Sequence, residues 1–227
     1  MKAPDADEEP LTLQSYLPAT VAATWQNLPQ LLVAGMGFSL ACAPAFVLAV
    51  LALPWLALLA AVLLAMPAWV TLLWFATRQL EGRADGISTL WPTFRHLWRR
   101  GVRLGIDGIG LPALAFTVAT WLLAPFFEAG WPGALLLLPA LLVVAIAAIY
   151  AAPLLATHGI AVPVAERNGF LLATRYLSHT FGLLAMAVLM ALAVLYVSPG
   201  FLFVLPTFFA MFVANNCRLA LALEAEQ

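Results

Sequence analysis

Charged residues are scarce in this sequence. They make up 9% of its 227 residues, while hydrophobic residues make up 64%; a soluble domain carries roughly 25% charged and 45–50% apolar residues. From Leu11 to Thr77 there is no Asp, Glu, Lys or Arg, and mean hydropathy is +0.99. A soluble fold of this size cannot hide so much apolar surface, because polar residues must cover its outside. The composition therefore predicts an all-α, polytopic membrane protein. Only two cysteines are present, Cys42 and Cys217, both in apolar runs, so neither a disulfide framework nor a CxxC thiol site is expected. The zinc-binding HExxH, the GxSxG elbow, the P-loop and close carboxylate pairs are also missing from the sequence, so the residues point to no enzyme and no cofactor. A net charge of −1 gives no argument for nucleic acid.

Residues 1–10 carry Lys2 against Asp5, Asp7, Glu8 and Glu9. That is the wrong sign for a signal-peptide n-region and reads as a disordered acidic tail. Residues 11–28 place Leu13, Leu17, Val21, Trp25 and Leu28 at intervals of three and four, which predicts an interfacial amphipathic helix beginning or kinking near Pro18. Because the hydrocarbon core takes about 20 helical residues, the remaining apolar sequence divides into six spans, near 29–51, 54–77, 104–127, 133–157, 181–197 and 200–221. They form one transmembrane domain, 29–221, followed by a tail, 222–227.

The basic residues orient these spans. Of the ten Lys and Arg, Arg78, Arg83, Arg95, Arg99, Arg100 and Arg103 fall between the second and third spans, and Arg167 and Arg175 between the fourth and fifth. Lys2 and Arg218 lie toward the two ends. With six spans all of these fall on one side, and the other side holds Glu128 but no cation. Cytoplasmic enrichment of Lys and Arg then predicts cytoplasmic termini, with Trp121, Phe126, Phe127 and Trp131 at the outer interface.

The best-defined segment is 87–103, in which residues 87–100 are expected to form an interfacial helix rather than part of a span. Ile87, Leu90, Trp91, Phe94, Leu97 and Trp98 recur on one face, Arg95, His96, Arg99, Arg100 and Arg103 occupy the others, and Ser88 can cap the start. Tryptophan beside arginine suits a headgroup boundary. Trp91, Phe94, Arg95, Trp98, Arg99, Arg100 and Arg103 are therefore the candidate residues for anionic headgroups at the cytoplasmic face, or for docking another membrane complex. A stripe of small residues, Gly101, Gly105 and Gly108, follows; such stripes pack helices within a chain or between two copies. Asp107 is the one carboxylate inside a span, four residues after Arg103, and Asn215 and Asn216 are expected at similar depth, within hydrogen-bonding reach of it. Prolines 44, 67, 112, 139, 153 and 206 are read as helix breaks. A fainter echo links Pro67 and the segment after it to Pro153 and residues 166–180.

Met66-Pro67-Ala68-Trp69-Val70-Thr71, then Ala76-Thr77-Arg78-Gln79-Leu80-Glu81-Gly82, then Leu90-Trp91-Pro92-Thr93-Phe94-Arg95-His96-Leu97-Trp98, and later Tyr150-Ala151-Ala152-Pro153-Leu154-Leu155-Ala156 resemble the YesL-like family of small bacterial integral membrane proteins over about residues 30–220. The chain departs from that family at Leu64–Trp69, where a Thr-x-Gly-Pro-Ala-Thr run is usual. The resemblance implies a bacterial cytoplasmic membrane and an association with carbohydrate uptake, and brings no catalytic residues. Together these readings lead to an expectation of a non-enzymatic accessory or scaffold protein. The alternative is a transporter or channel for a small, weakly polar solute whose path uses the proline breaks.

Overall fold

The structure, a computed structural model, describes residues 16–83, 86–123 and 142–225. The acidic tail 1–10, Leu13, Phe126, Phe127, Glu128, Trp131 and Pro139 lie outside the described residues, as does the side chain of Trp121. The described chain is helical throughout, without a strand. Its helices are α1 (Tyr16–Gln26), α2 (Leu28–Val50), α3 (Pro54–Leu80), α4 (90–123), α5 (Leu142–His158), α6 (Val162–Arg175), α7 (Leu177–Tyr196) and α8 (Leu205–Ala225). Five stretches are long and apolar enough to cross a membrane: Leu28–Val50, Pro54–Leu80, Ile87–Val118, Leu177–Val194 and Leu205–Glu224. The chain is thus a multi-pass helical bundle. The shorter apolar α5 covers most of the expected fourth span, whose first residues lie outside the described ones.

The core is built around the second half of α3. Val70, Leu73, Phe75 and Ala76 are fully buried, enclosed by α2, α4, α5 and α8. Against α3 runs the small-residue stripe of α4. A methyl group on Gly101 would lie 2.6 Å from Pro67 Cα, one on Gly105 would lie 3.2 Å from Met66 Cβ, and one on Gly108 would lie 2.9 Å from Ala147 Cβ. Missing side chains let these backbones touch, which matters in lipid, where apolar burial by itself favours no partner over acyl chains. The stripe is consumed inside the chain, so it is not a free face for a second copy.

Pro44, Pro67, Pro112 and Pro153 do not break their helices. Pro67, Pro112 and Pro153 each follow a widened π turn by two residues: Ala61–Ala65, Ile106–Gly110 and Ala147–Ala151. Proline has no N–H to donate and its ring crowds the carbonyl four residues back; a π turn accommodates both without ending the helix. Two carbonyls in these turns are taken by indoles. Trp98 Nε1 donates to Leu63 O at 3.0 Å, and Trp69 Nε1 donates to Ala148 O at 2.9 Å. Pro44 sits inside α2 and Pro206 in the first turn of α8.

Three local expectations are corrected. The basic segment and the third span are not two helices: α4 is continuous, with only the π turn Ile106–Gly110 between them, because Gly101 stays helical to admit Pro67. The N-cap of Leu90–Gly105 is Thr89, not Ser88, after a short 3-10 turn. The last helix extends past residue 221 to Ala225. α1 covers residues 16–26 of the expected helix 11–28, with Pro18 near its start and residues 11–15 outside the described ones. It turns Thr20 and Thr24 into the protein and leaves Val21 and Trp25 exposed.

The echo between the two halves has a structural counterpart. In each, a π turn and a proline lead into a helix, and a glycine in the left-handed region (Gly82, φ 66°; Gly159, φ 61°) reverses the chain. Each next helix docks back through a glycine, Gly101 on Pro67 and Gly169 on Ala151.

Candidate functional site

The first half of α4 (Leu90–Gly105) has three sides. Leu97, Gly101, Leu104 and Gly105 are buried against α3. On one flank, Trp91 stacks on Phe94 with ring centroids 5.7 Å apart. With Leu90 they close an apolar groove of about 510 Å³ whose opposite wall includes Val33, Leu40, Leu64 and Ala68. Trp91 is 66% exposed and Trp98 38%, so this flank presents rings to the surroundings. On the other flank His96, Arg99, Arg100 and Arg103 face the corner where α5 ends and α6 begins.

That corner is shaped by the left-handed Gly159, which only a residue without Cβ adopts at no steric cost. It sends Ile160 and Ala161 past α4 before α6 starts at Val162. A cavity of about 450 Å³ is lined there by Arg99, Arg100, Arg103 and the 159–162 segment. A second, of about 460 Å³, lies between Trp74, His96, Arg100, Leu155 and His158. Arg100 borders both.

Asp107 pairs with Arg103, Nε to Oδ2, at 3.9 Å. Both side chains are partly exposed, so this i,i+4 pair contributes at most about 0.3–0.5 kcal/mol. Glu166 of α6 stands near the same two residues. Burial, and next the Asp107 carboxylate, push its carboxyl above the ordinary 4.5, with Arg103 opposing. Nothing in the sequence spacing marked Glu166 as a neighbour of Asp107.

The expected bond from Asp107 to the asparagines does not form. Asn215 instead donates to Thr20 Oγ1 at 2.7 Å, tying α8 to α1. Asn216 enters a buried chain of hydrogen bonds. His179 Nδ1 donates to Asn216 Oδ1 (3.1 Å), and Asn216 Nδ2 donates to the Tyr150 hydroxyl (3.4 Å). The Tyr150 hydroxyl lies 2.9 Å from Thr180 Oγ1, which donates in turn to the Ala173 and Tyr176 carbonyls, both at 3.1 Å. Each side chain in this network thereby has a partner, as a low-dielectric interior demands, whereas the nearby Tyr176 hydroxyl is buried without one among the described residues. Asn215 and Asn216 thus bind α8 to α1, α5 and α7, and Asp107 belongs to the basic corner.

Among the described residues, no three His, Cys, Asp or Glu side chains come together to hold a metal ion, and Cys42 and Cys217 are free thiols. Arg95, Arg99 and Arg100 form no ion pair among the described residues.

No family model, curated protein or solved structure matches the chain.

Proposed function

We propose that the chain is a non-catalytic component of a bacterial cytoplasmic membrane, crossing it six times with both ends cytoplasmic, and that it docks another membrane complex through α4. The observation that carries this reading is the state of Arg95, Arg99 and Arg100: three guanidinium groups on the same helix as the exposed Trp91, with no carboxylate of the described chain paired to them. Arginine and tryptophan are the types enriched where binding energy concentrates. A link to carbohydrate uptake rests on the YesL-like resemblance alone. The one-sided distribution of cations supports the orientation, which reporter fusions after residues 130 and 227 test.

The path proposed for a transporter needs carbonyls freed at the prolines, and two of those carbonyls are occupied by Trp98 and Trp69. The cavity beside Met66, Trp69 and Pro206, about 380 Å³, is lined by apolar residues and, with the Trp69 N–H already bonded to Ala148 O, offers even a weakly polar solute no free hydrogen-bonding side chain. Both facts favour docking over transport. The test is gentle cross-linking in native membranes followed by identification of co-purified proteins. A stoichiometric partner, lost when Arg95, Arg99 and Arg100 become Gln, is the expected result. A protein that purifies alone and passes a solute through liposomes that empty vesicles retain would replace the docking reading with transport.

A further inference from the structure

We propose that the corner between α4 and the α5–α6 turn binds a phosphate-bearing anion, with Arg100 at its centre. This deepens the reading of α4 as the working surface and rests on it. The two cavities there adjoin at Arg100, and their linings together hold His96, Arg99, Arg100, Arg103 and His158. No carboxylate lines either cavity. Two of the arginines are unpaired, and the third has its carboxylate, Asp107, at 3.9 Å, beyond ordinary hydrogen-bonding distance. Three guanidinium groups carried by one helix around one cavity are repelled by one another, and a ligand of opposite charge relieves that repulsion.

The shape favours phosphate over a planar carboxylate. Arg99 and Arg103 are one turn apart on α4, and Arg100 comes from the side, its Nη1 only 3.4 Å from where a Cβ on Gly159 would stand. Donors converging from different directions match a tetrahedral group with several equivalent oxygens, and guanidinium binds such oxygens in pairs. The first turn of α6 borders the same cavity without a capping side chain, so its positive end adds to the field. Trp74, Leu97 and Leu155 close the apolar floor of the neighbouring cavity, which leaves room for the organic part of a phosphate ester. Asp107 lies 3.9 Å from Arg103 and Glu166 is near enough to feel its charge, and they make Arg103 the weakest of the three contributors. A lipid headgroup at the inner surface and a soluble phosphate both carry this chemistry.

The experiment uses the full-length protein in dodecyl maltoside, which contains no phosphate. Inorganic phosphate and glycerol 3-phosphate are titrated calorimetrically, and phosphatidylglycerol is offered in mixed micelles and its retention followed by native mass spectrometry. At least one probe is expected to bind saturably. Arg100→Gln should weaken it roughly tenfold or more, because a charge-assisted pair is lost, and Arg100→Lys should recover part of the loss. Arg167→Gln, an exposed cation of α6 outside both cavities, should stay within about twofold of wild type. Retention of phosphatidylglycerol alone identifies a headgroup as the ligand; binding of either soluble probe identifies a soluble ester or phosphate itself. Should Arg100→Gln not fold, Arg99→Gln carries the same expectation. The proposal is overturned if no probe saturates, or if Arg167→Gln and the cavity variant weaken binding alike, since that is diffuse attraction to a basic surface. Partner capture scored on the same variants separates the two readings: phosphate binding kept while no partner is captured ends the docking proposal alone, and the reverse ends this one alone.

Discussion

Gly101→Ala should destabilise the protein, although alanine is the better helix former. The new methyl carbon would stand 2.6 Å from Pro67 Cα and 3.1 Å from Pro67 N and Cβ. Ordinary contact begins near 3.4 Å, so α3 and α4 must separate by close to an ångström at that level. The obstructing atoms are backbone, and those of a proline, so no rotamer change relieves the clash. Overpacking of this kind costs about 1–3 kcal/mol, and separating the helices also weakens the contacts at Gly105 and Leu104. The gain in helix propensity returns at most about 1 kcal/mol. The expected net loss is about 1–2 kcal/mol, roughly 2–8 °C in the unfolding midpoint for a chain of this length. Gly37→Ala is the control, because nothing lies within 4 Å of its added methyl; it should leave the midpoint unchanged or raise it. Thermal unfolding in a fixed detergent, followed by tryptophan fluorescence, measures both. Gly101→Ala at or above the wild-type midpoint would refute the packing argument. A fall in dimer content with an unchanged midpoint would refute it differently, by showing that the stripe joins two copies.

Trp98→Phe should cost about 1–3 kcal/mol, since the ring is kept but Leu63 O loses its donor; the corresponding loss of midpoint, absent in Trp91→Phe, is the check. Asp107→Asn should lower detergent stability by no more than about 0.5 kcal/mol and leave partner capture intact, and a specific loss of capture in a stable Asn variant would make Asp107 part of the docking surface. Glu166→Gln tests the raised carboxyl. A carboxyl whose folded value lies above its unfolded one keeps its proton longer in the folded state, so folding becomes less favourable as pH rises past 4.5. The Gln variant should therefore gain stability over wild type between pH 4 and 7, with the difference vanishing at the acid end, and equal midpoints at both ends of that range would count against the assignment.

Much of this architecture is legible in the sequence because hydropathy in a membrane protein is nearly a length measurement. The charge-free stretch from Leu11 to Thr77 holds two spanning helices divided at Pro54, and the structure divides them there. The α4 continuity is not legible by the same means. Arginine density marks where a helix leaves lipid, but helix formation depends on local backbone bonds, and nothing between Arg100 and Leu104 interrupts those. The partners of Asn215 and Asn216 were out of reach for another reason. Depth in the membrane follows from residue count, whereas the rotation that turns Asn216 toward Tyr150 rather than Asp107 is set by packing around α3. The prolines misled because proline read alone signals a break, and the compensating π turns have no sequence signature of their own.

The bond between Asn215 and Thr20 joins residues 195 positions apart, and this bears on how the chain is made. α3 emerges early, and its apolar side chains are as well solvated by acyl chains as by protein, so it can wait in the bilayer for α5 and α8. The hydroxyls of Thr20 and Tyr150 are joined to α8 more specifically. Their amide partners arrive only with the last helix to be synthesised. A polypeptide halted before residue 205 therefore inserts its greasy helices normally yet lacks the two amides that tie α8 to α1, α5 and α7, so what an unfinished copy is missing is part of its polar network as well as part of its apolar core.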